Sequence, residues 1–158
     1  MTAHAAVLAT LSAGLRQRGW RMATAESCTG GLIAAACTGL AGSSDWFDCG
    51  FVTYSNAAKT AMLGVNASLI NQCGAVGEEV ALAMAQGALA RSAAQVAVAV
   101  TGVAGPGGGS LQKPVGMVWF AWATPAGLTS EMCHFGGDRM QVRQATVAHA
   151  LNRLAALL

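Results

Sequence analysis

The stretch Ala25-Glu26-Ser27-Cys28-Thr29-Gly30-Gly31 sets a carboxylate, two hydroxyls and a thiol beside paired glycines. Gly19-Trp20-Arg21-Met22-Ala23-Thr24 before it is short and apolar enough for a buried strand, and Leu32-Ile33-Ala34-Ala35-Ala36-Cys37 after it consists of good helix formers. A strand–turn–helix junction points backbone N–H groups and the positive end of a helix dipole into the turn, which favours an anion or a developing oxyanion there. Ser27 or Cys28 is then a candidate nucleophile. A structural reading fits the same letters, because serine and threonine cap helices and paired glycines make turns.

A serine nucleophile needs a base. His4, His134 and His149 are scattered, with no spacing that suggests a triad or a metal. The two lysines are Lys59 and Lys113. Lys59 falls in the first turn of a helix that Ser55 or Asn56 would cap, where the dipole disfavours a cation and lowers its pKa. A partly buried, neutral lysine can accept the proton of a serine hydroxyl. Tyr54, at the end of the preceding strand, could hydrogen-bond such a pair and relay a proton. The plain alternatives are a surface lysine and a core aromatic. Ser110-Leu111-Gln112-Lys113 matches the S-x-x-K pattern of penicillin-binding enzymes, but that motif needs a helical turn and Pro114 drives Lys113 toward extended backbone.

A second glycine-rich stretch, Thr101 to Ser110, follows the apolar run Val96-Ala97-Val98-Ala99-Val100. It lacks the Lys-Ser or Lys-Thr pair of a Walker A loop and the helix context of a dinucleotide fingerprint. Leaving the end of a central strand, where α/β proteins bind ligands, it could cradle a phosphate through backbone N–H groups or be a plain mobile loop. The candidate substrate-binding residues are therefore Thr29, Gly30 and Gly31 in the first turn and Thr101, Gly102 and Gly105 in the second.

The elements that must position these groups alternate. Helices are expected at about residues 3–18 and 28–39, in two short segments near 56–63 and 66–73, from Gly77 to about Ala93, and from Asp138 to the end, where Val147, Leu151, Leu154 and Leu158 form an apolar stripe. Strands are expected at about 20–25, from near Asp48 to Tyr54, over 96–100, and as a hairpin of Val115–Thr124 and Leu128–Phe135 turned by Pro125-Ala126-Gly127. The fold class is α/β: a three-layer α/β/α sandwich on a mixed, mainly parallel sheet of about five strands. The 158 residues fit a single domain spanning 1–158.

Composition narrows the partners. The net charge of +2 makes no basic stripe, so nucleic acid is not expected; Arg16, Arg18 and Arg21 read as a solvated helix end. No segment approaches the ~18 uninterrupted apolar residues of a membrane span, so no membrane partner is expected. A hydrophobic share of 54% against 10% charged residues leaves apolar surface to cover, which suggests a homo-oligomer, a dimer first. The odd set Cys28, Cys37, Cys49, Cys73 and Cys133, without a C-x-x-C pair, reads as free thiols in a cytoplasmic protein, and Met1–Leu15 has no basic region before its apolar residues.

Taken together, Ala25-Glu-Ser-Cys-Thr-Gly-Gly31, Gly50-Phe-Val-Thr-Tyr-Ser-Asn56 with Lys59, Gly74-Ala-Val76, Thr101-Gly-Val-Ala-Gly-Pro106, Lys113-Pro-Val-Gly116 and Gly137-Asp-Arg139 resemble the CinA C-terminal domain family over nearly the whole chain. The resemblance implies a three-layer α/β/α fold and hydrolysis of nicotinamide mononucleotide to nicotinate mononucleotide and ammonia, without metal or cofactor. It implies Ser27 as nucleophile, Lys59 as base, Tyr54 as its helper, and Arg139 at the site, binding the small nucleotide substrate's phosphate with or without the glycine loop. Thr29 and Gly30 would offer N–H groups to the oxyanion. Gly77 and Gly107 depart from the pattern, standing where the family often has serine and aspartate. Two rival readings are a non-catalytic nucleotide-binding module acting through a partner, and an amidase for another pyridine or nucleotide amide.

Overall fold

The computed structural model describes residues 3–158. Its elements run α1 (Ala5–Arg18), β1 (Met22–Glu26), α2 (Leu32–Thr38), β2 (Phe47–Val52), α3 (Asn56–Leu63), α4 (Ala67–Cys73), α5 (Glu78–Ala90), β3 (Val96–Gly102), β4 (Met117–Thr124), β5 (Gly127–His134) and α6 (Arg139–Leu157). The strands form one sheet in the order β2-β1-β3-β4-β5. β1 is parallel to both its neighbours, while β4 and β5 add on antiparallel. Helices cover both faces, giving the α/β/α sandwich on a mixed sheet that the sequence predicts.

Strand alternation sorts the sheet's side chains by size. Met22, Val96, Val98, Val100, Val118, Phe120 and Trp122 face α1, α2 and α6. Ala23, Ala25, Ala97, Ala99, Ala121 and Ala123 face the other way, toward α5. The small face lets α5 lie close, and Gly87 within α5 has no room for a Cβ because Leu63 O already fills that space. The bulky face instead buries an aromatic stack: Phe120 and Trp122 lie 5.5 Å apart, and Trp122 Nε1 donates to Ala150 O at 3.1 Å, tying β4 to α6.

Local signals set most boundaries. Ser55 caps α3 by accepting from Ala58 N, Asn66 caps α4 through Ser68 N, and Asp138 and Gln141 form a reciprocal capping box on α6. The second helix starts later than expected, at Leu32, because Gly30 (φ 58°) and Gly31 (φ 104°) take the left-handed conformation that glycine tolerates and the helix cannot include them. A 3-10 turn at Ser43–Asp45 is an element the sequence reading missed. It explains Arg16 and Arg21, which are not merely solvated: they donate to the carbonyls of Gly42 and Ser44 and pin this turn. Among the described residues no helix is long and apolar enough to cross a membrane.

Candidate active site

The carboxyl ends of the three parallel strands β1, β2 and β3 meet at one edge of the sheet. This is where open α/β sheets bind ligands. The chain leaves β1 through consecutive buried residues whose side chains diverge. Glu26, fully buried, turns toward α2 and accepts from Thr29 Oγ1 (2.5 Å), Ile33 N (2.9 Å) and Ala34 N (3.0 Å). Its carboxylate thus satisfies the first N–H groups of α2 and lies at the positive end of that dipole. Glu26, not Ser27, caps the helix. Ser27 points the other way, toward α3.

There it meets Lys59. The Ser55 cap starts α3 so that Lys59 closes its first turn, its N–H donating to Ser55 O at 3.2 Å. The side chain is 1% exposed. Its Nζ lies 2.9 Å from Ser27 Oγ and donates to the carbonyls of Thr53 (3.0 Å) and Tyr54 (3.1 Å). Among the described residues no carboxylate forms an ion pair with it. Burial without a counter-ion pulls its pKa below the ordinary 10.5, against a smaller opposing influence of Cys28. The neighbouring thiol responds in the opposite sense: burial pushes Cys28 up to about 11, so it stays protonated and is no competing nucleophile near neutrality.

Tyr54 differs from both sequence readings. Its ring is 61% exposed, so it is not a core aromatic, and its hydroxyl accepts from Arg139 Nη2 at 3.2 Å rather than meeting Lys59 or Ser27. What it gives the pair is its carbonyl. The proton relay assigned to its hydroxyl therefore has no contact to run through. Arg139, first residue of α6, also donates to Gly105 O at 2.9 Å, so it links the ends of β2 and the glycine loop.

The remaining candidates divide between side-chain and backbone roles. The Thr29 hydroxyl is buried against Glu26 and faces away from the cleft. Gly30 N–H donates to Ser27 O at 3.1 Å, which removes it as an oxyanion donor. Gly31 serves as the N-cap residue of α2, its carbonyl accepting from Ala35 N. Thr101 Oγ1 donates to Ala75 O at 2.8 Å, and Thr101 and Gly102 line the cleft together. Gly77 is the N-cap of α5 and does not line the cleft, and Gly107 is exposed with open space around it. Neither departure from the family pattern removes a group that touches Ser27 or Lys59.

These residues enclose a cleft of ≈ 220 Å³ lined by Ser27, Cys28, Tyr54, Asn56, Lys59, Ala75, Val76, Thr101, Gly102, Ala104 and Arg139. Its ionisable nitrogen groups are Lys59 and Arg139, and no carboxylate lines it, so it suits an anion. A larger groove of ≈ 540 Å³ between α1 and α6 has alanines, glutamines and His4 on its walls and nothing resembling a nucleophile with its base. Among the described residues, metal-ligand types cluster at Glu131, Cys133 and His149, with donor atoms within 4.8 Å of one another. Glu131 there accepts from Arg153 at 3.0 Å and lies 3.1 Å from His149 Nε2, contacts that account for Glu131 and His149 standing together. Arg143 is a contact the sequence reading missed: Nε donates to Cys28 O at 3.1 Å and Nη2 to Thr29 O at 3.2 Å. Its spacing of four from Arg139 on one helix face was the available signal.

The molecule is an open α/β sheet with a serine hydroxyl against a buried lysine that has no counter-ion among the described residues, at the carboxyl ends of its parallel strands. The model of the CinA C-terminal domain matches residues 4–158, and the chain belongs to that family. It is 55% identical over 143 residues to a Pseudomonas putida protein named nicotinamide-nucleotide amidohydrolase PncC, the match covering 90% of this chain and 89% of that one. It is 53% identical over 142 residues to the Escherichia coli K12 protein of the same name, covering 89% and 86% respectively. The solved competence/damage inducible protein CihA of Agrobacterium tumefaciens superposes with a TM-score of 0.91 at 48% identity, covering 96% of this chain and 94% of that one.

Proposed function

We propose that this chain hydrolyses the carboxamide of nicotinamide mononucleotide, releasing nicotinate mononucleotide and ammonia, with Ser27 as nucleophile and Lys59 as its base. The observation that carries the reading is the set of three oxygens around Lys59 Nζ. A neutral amine has two N–H bonds and one lone pair. The carbonyls of Thr53 and Tyr54 accept both N–H bonds, and the lone pair then faces Ser27 Oγ. In that state the Ser27 hydroxyl is the donor and Lys59 the acceptor, which is the arrangement general-base catalysis requires. The names of the close relatives support the substrate.

The chemistry closes with these groups alone. The Ser27 proton passes to Lys59 Nζ as Oγ bonds to the carboxamide carbon and the amide oxygen takes up negative charge. The C–N bond then breaks, the nitrogen leaves as ammonia with the proton from Lys59, and an ester to Ser27 remains. Water gives a proton to Lys59 and attacks the ester carbon; the C–Oγ bond breaks and Ser27 recovers its proton. Arg139, at the rim of a cleft without carboxylates, binds the substrate phosphate as a charge-assisted pair.

The test is ammonia release from nicotinamide mononucleotide by the purified protein and by Ser27→Ala. Wild-type turnover with a loss of at least about 10³-fold in the variant supports the reading. A wild type that binds the nucleotide but releases no ammonia returns the protein to a binding module. Turnover confined to another pyridine or nucleotide amide reassigns the substrate.

A further inference from the structure

The turn after β1 closes on one side chain from the far end of the chain. Ser27 N–H donates to Val100 O, and Gly30 N–H donates to Ser27 O. Thr29 O accepts from Leu32 N–H and Arg143 Nη2, and Cys28 O accepts from Arg143 Nε. Among the described residues the N–H groups of Cys28, Thr29 and Gly31 have no acceptor, and of these three residues Cys28 alone lines the cleft. Buried N–H groups are ordinarily paired, so an unpaired Cys28 N–H on the cleft wall, one residue after the candidate nucleophile, marks a place for an incoming oxygen.

Each orphan belongs to a planar trans peptide whose carbonyl points the opposite way from its N–H. The peptide carrying Cys28 N–H is held at its carbonyl, Ser27 O, by Gly30. The peptide carrying Thr29 N–H is held at its carbonyl, Cys28 O, by the Arg143 guanidinium. Arg143 thus holds, through Cys28 O, the peptide that directly follows Cys28 and, through Thr29 O, the next one. Its location also costs helix stability: it stands one turn after Arg139, two cations near the positive end of α6 and on one face, an arrangement that like-charge repulsion and the dipole both disfavour. Two carbonyls of the Ser27 turn match its fork.

We propose that Arg143 is a positioning residue of the site, whose guanidinium holds the Cys28 and Thr29 carbonyls so that Cys28 N–H, on the cleft wall, stays aimed at the oxyanion formed at the carboxamide carbon. This rests on the amidohydrolase reading above. Arg143 touches no reacting atom; it acts through the turn whose two carbonyls it holds. The interaction matters only once negative charge has formed on the substrate oxygen, so its loss falls on kcat.

The test compares Arg143→Met, Arg143→Lys and Arg139→Met in ammonia release from nicotinamide mononucleotide. Removing an oxyanion donor outright costs about 10²–10³-fold in kcat, and loosening one should cost Arg143→Met about 10–100-fold, with KM within about threefold of wild type. The acid limb of the pH profile, set by Lys59, should not move. Arg143→Lys, able to reach one carbonyl but not both, should recover part of the loss. Arg139→Met should instead raise KM. Should Arg143→Met fold poorly, Arg143→Ala assayed with added guanidinium ion gives the same answer, since the free ion can occupy the vacated space and restore kcat. An Arg143→Met enzyme with kcat within about twofold of wild type, or with its whole loss in KM, overturns the proposal while the amidohydrolase reading stands. A wild type without turnover overturns both.

Discussion

Two turns leave neighbouring parallel strands at the site, and they are built on opposite plans. After β1, Met22 through Thr29 are all buried and the turn is bound by Glu26, Lys59 and Arg143 from three different elements. After β3, Pro106 through Gln112 are all exposed, and the loop is tied only near its ends, by Arg139 to Gly105, by Val103 to Gly116 and Met117, and by Lys113 to Cys73 O. Bond-making groups must be held within fractions of an ångström, whereas a surface that receives a phosphate or a ribose works with less precision. On the proposed function, the first turn is built for chemistry and the second for access.

The sharpest way to break this contrast is at Lys59. Lys59→Met should lower kcat by about 10³–10⁴-fold, the range of a general base in its best position. Ammonia release measured beside a far-ultraviolet circular dichroism spectrum separates lost chemistry from lost fold. On the proposed mechanism the neutral amine is the active form, and burial lowers its pKa from 10.5. Activity should therefore rise with pH along a one-proton limb centred below 10.5 and fall away as acidification protonates Lys59. A profile flat across that limb would remove Lys59 from the base role.

Next in size is Glu26, which organises the same turn without entering the cleft. Glu26→Gln keeps the shape but loses the charge at the α2 N-terminus and turns an NH2 group toward one of three donors. A loss of about 2–3 kcal/mol in urea unfolding is expected, the range for buried charge-assisted hydrogen bonds, together with reduced kcat. Normal stability would mean that the turn holds itself.

Why some of this was legible in the letters and some was not follows from particular residues. Ser27, Lys59 and Arg139 carry their chemistry in side chains, and the helix register of Lys59 follows from its distance to the Ser55 cap. The sheet was legible for a similar reason, since Val96–Val100 must be covered on both faces. The carbonyls of Thr53 and Tyr54 could not be read, because every residue has a carbonyl and only the path of the chain beyond β2 aims these two at an amine. Tyr54 was placed at the cleft, but its ring drew attention while its carbonyl makes the contact with Lys59. Arg143 was missed because its partners are backbone atoms 115 and 114 positions away.

Moving to the second turn, the effects should shrink. Gly105 has φ 85°, and a Cβ there would run into Val115 Cγ1. Gly105→Ala should cost about 1–2 kcal/mol through the left-handed backbone and the displaced valine. Since Gly105 O anchors Arg139, the kinetic change should appear in KM for nicotinamide mononucleotide with kcat largely kept.

The smallest effect is expected at Leu111, and it is the most searching. This leucine stands 96% exposed on the loop, an apolar side chain with almost no protein around it. If the loop gives access only, Leu111→Ser removes no contact, and stability should stay within about 0.5 kcal/mol with kcat and KM both unchanged. If the loop instead folds over a bound nucleotide, Leu111 would be buried in the complex, and its loss would raise KM with no change in the free protein. A several-fold rise in KM, with an unfolding curve identical to wild type, would show that the two turns differ in timing and not in role: one is ordered before substrate arrives, the other by it.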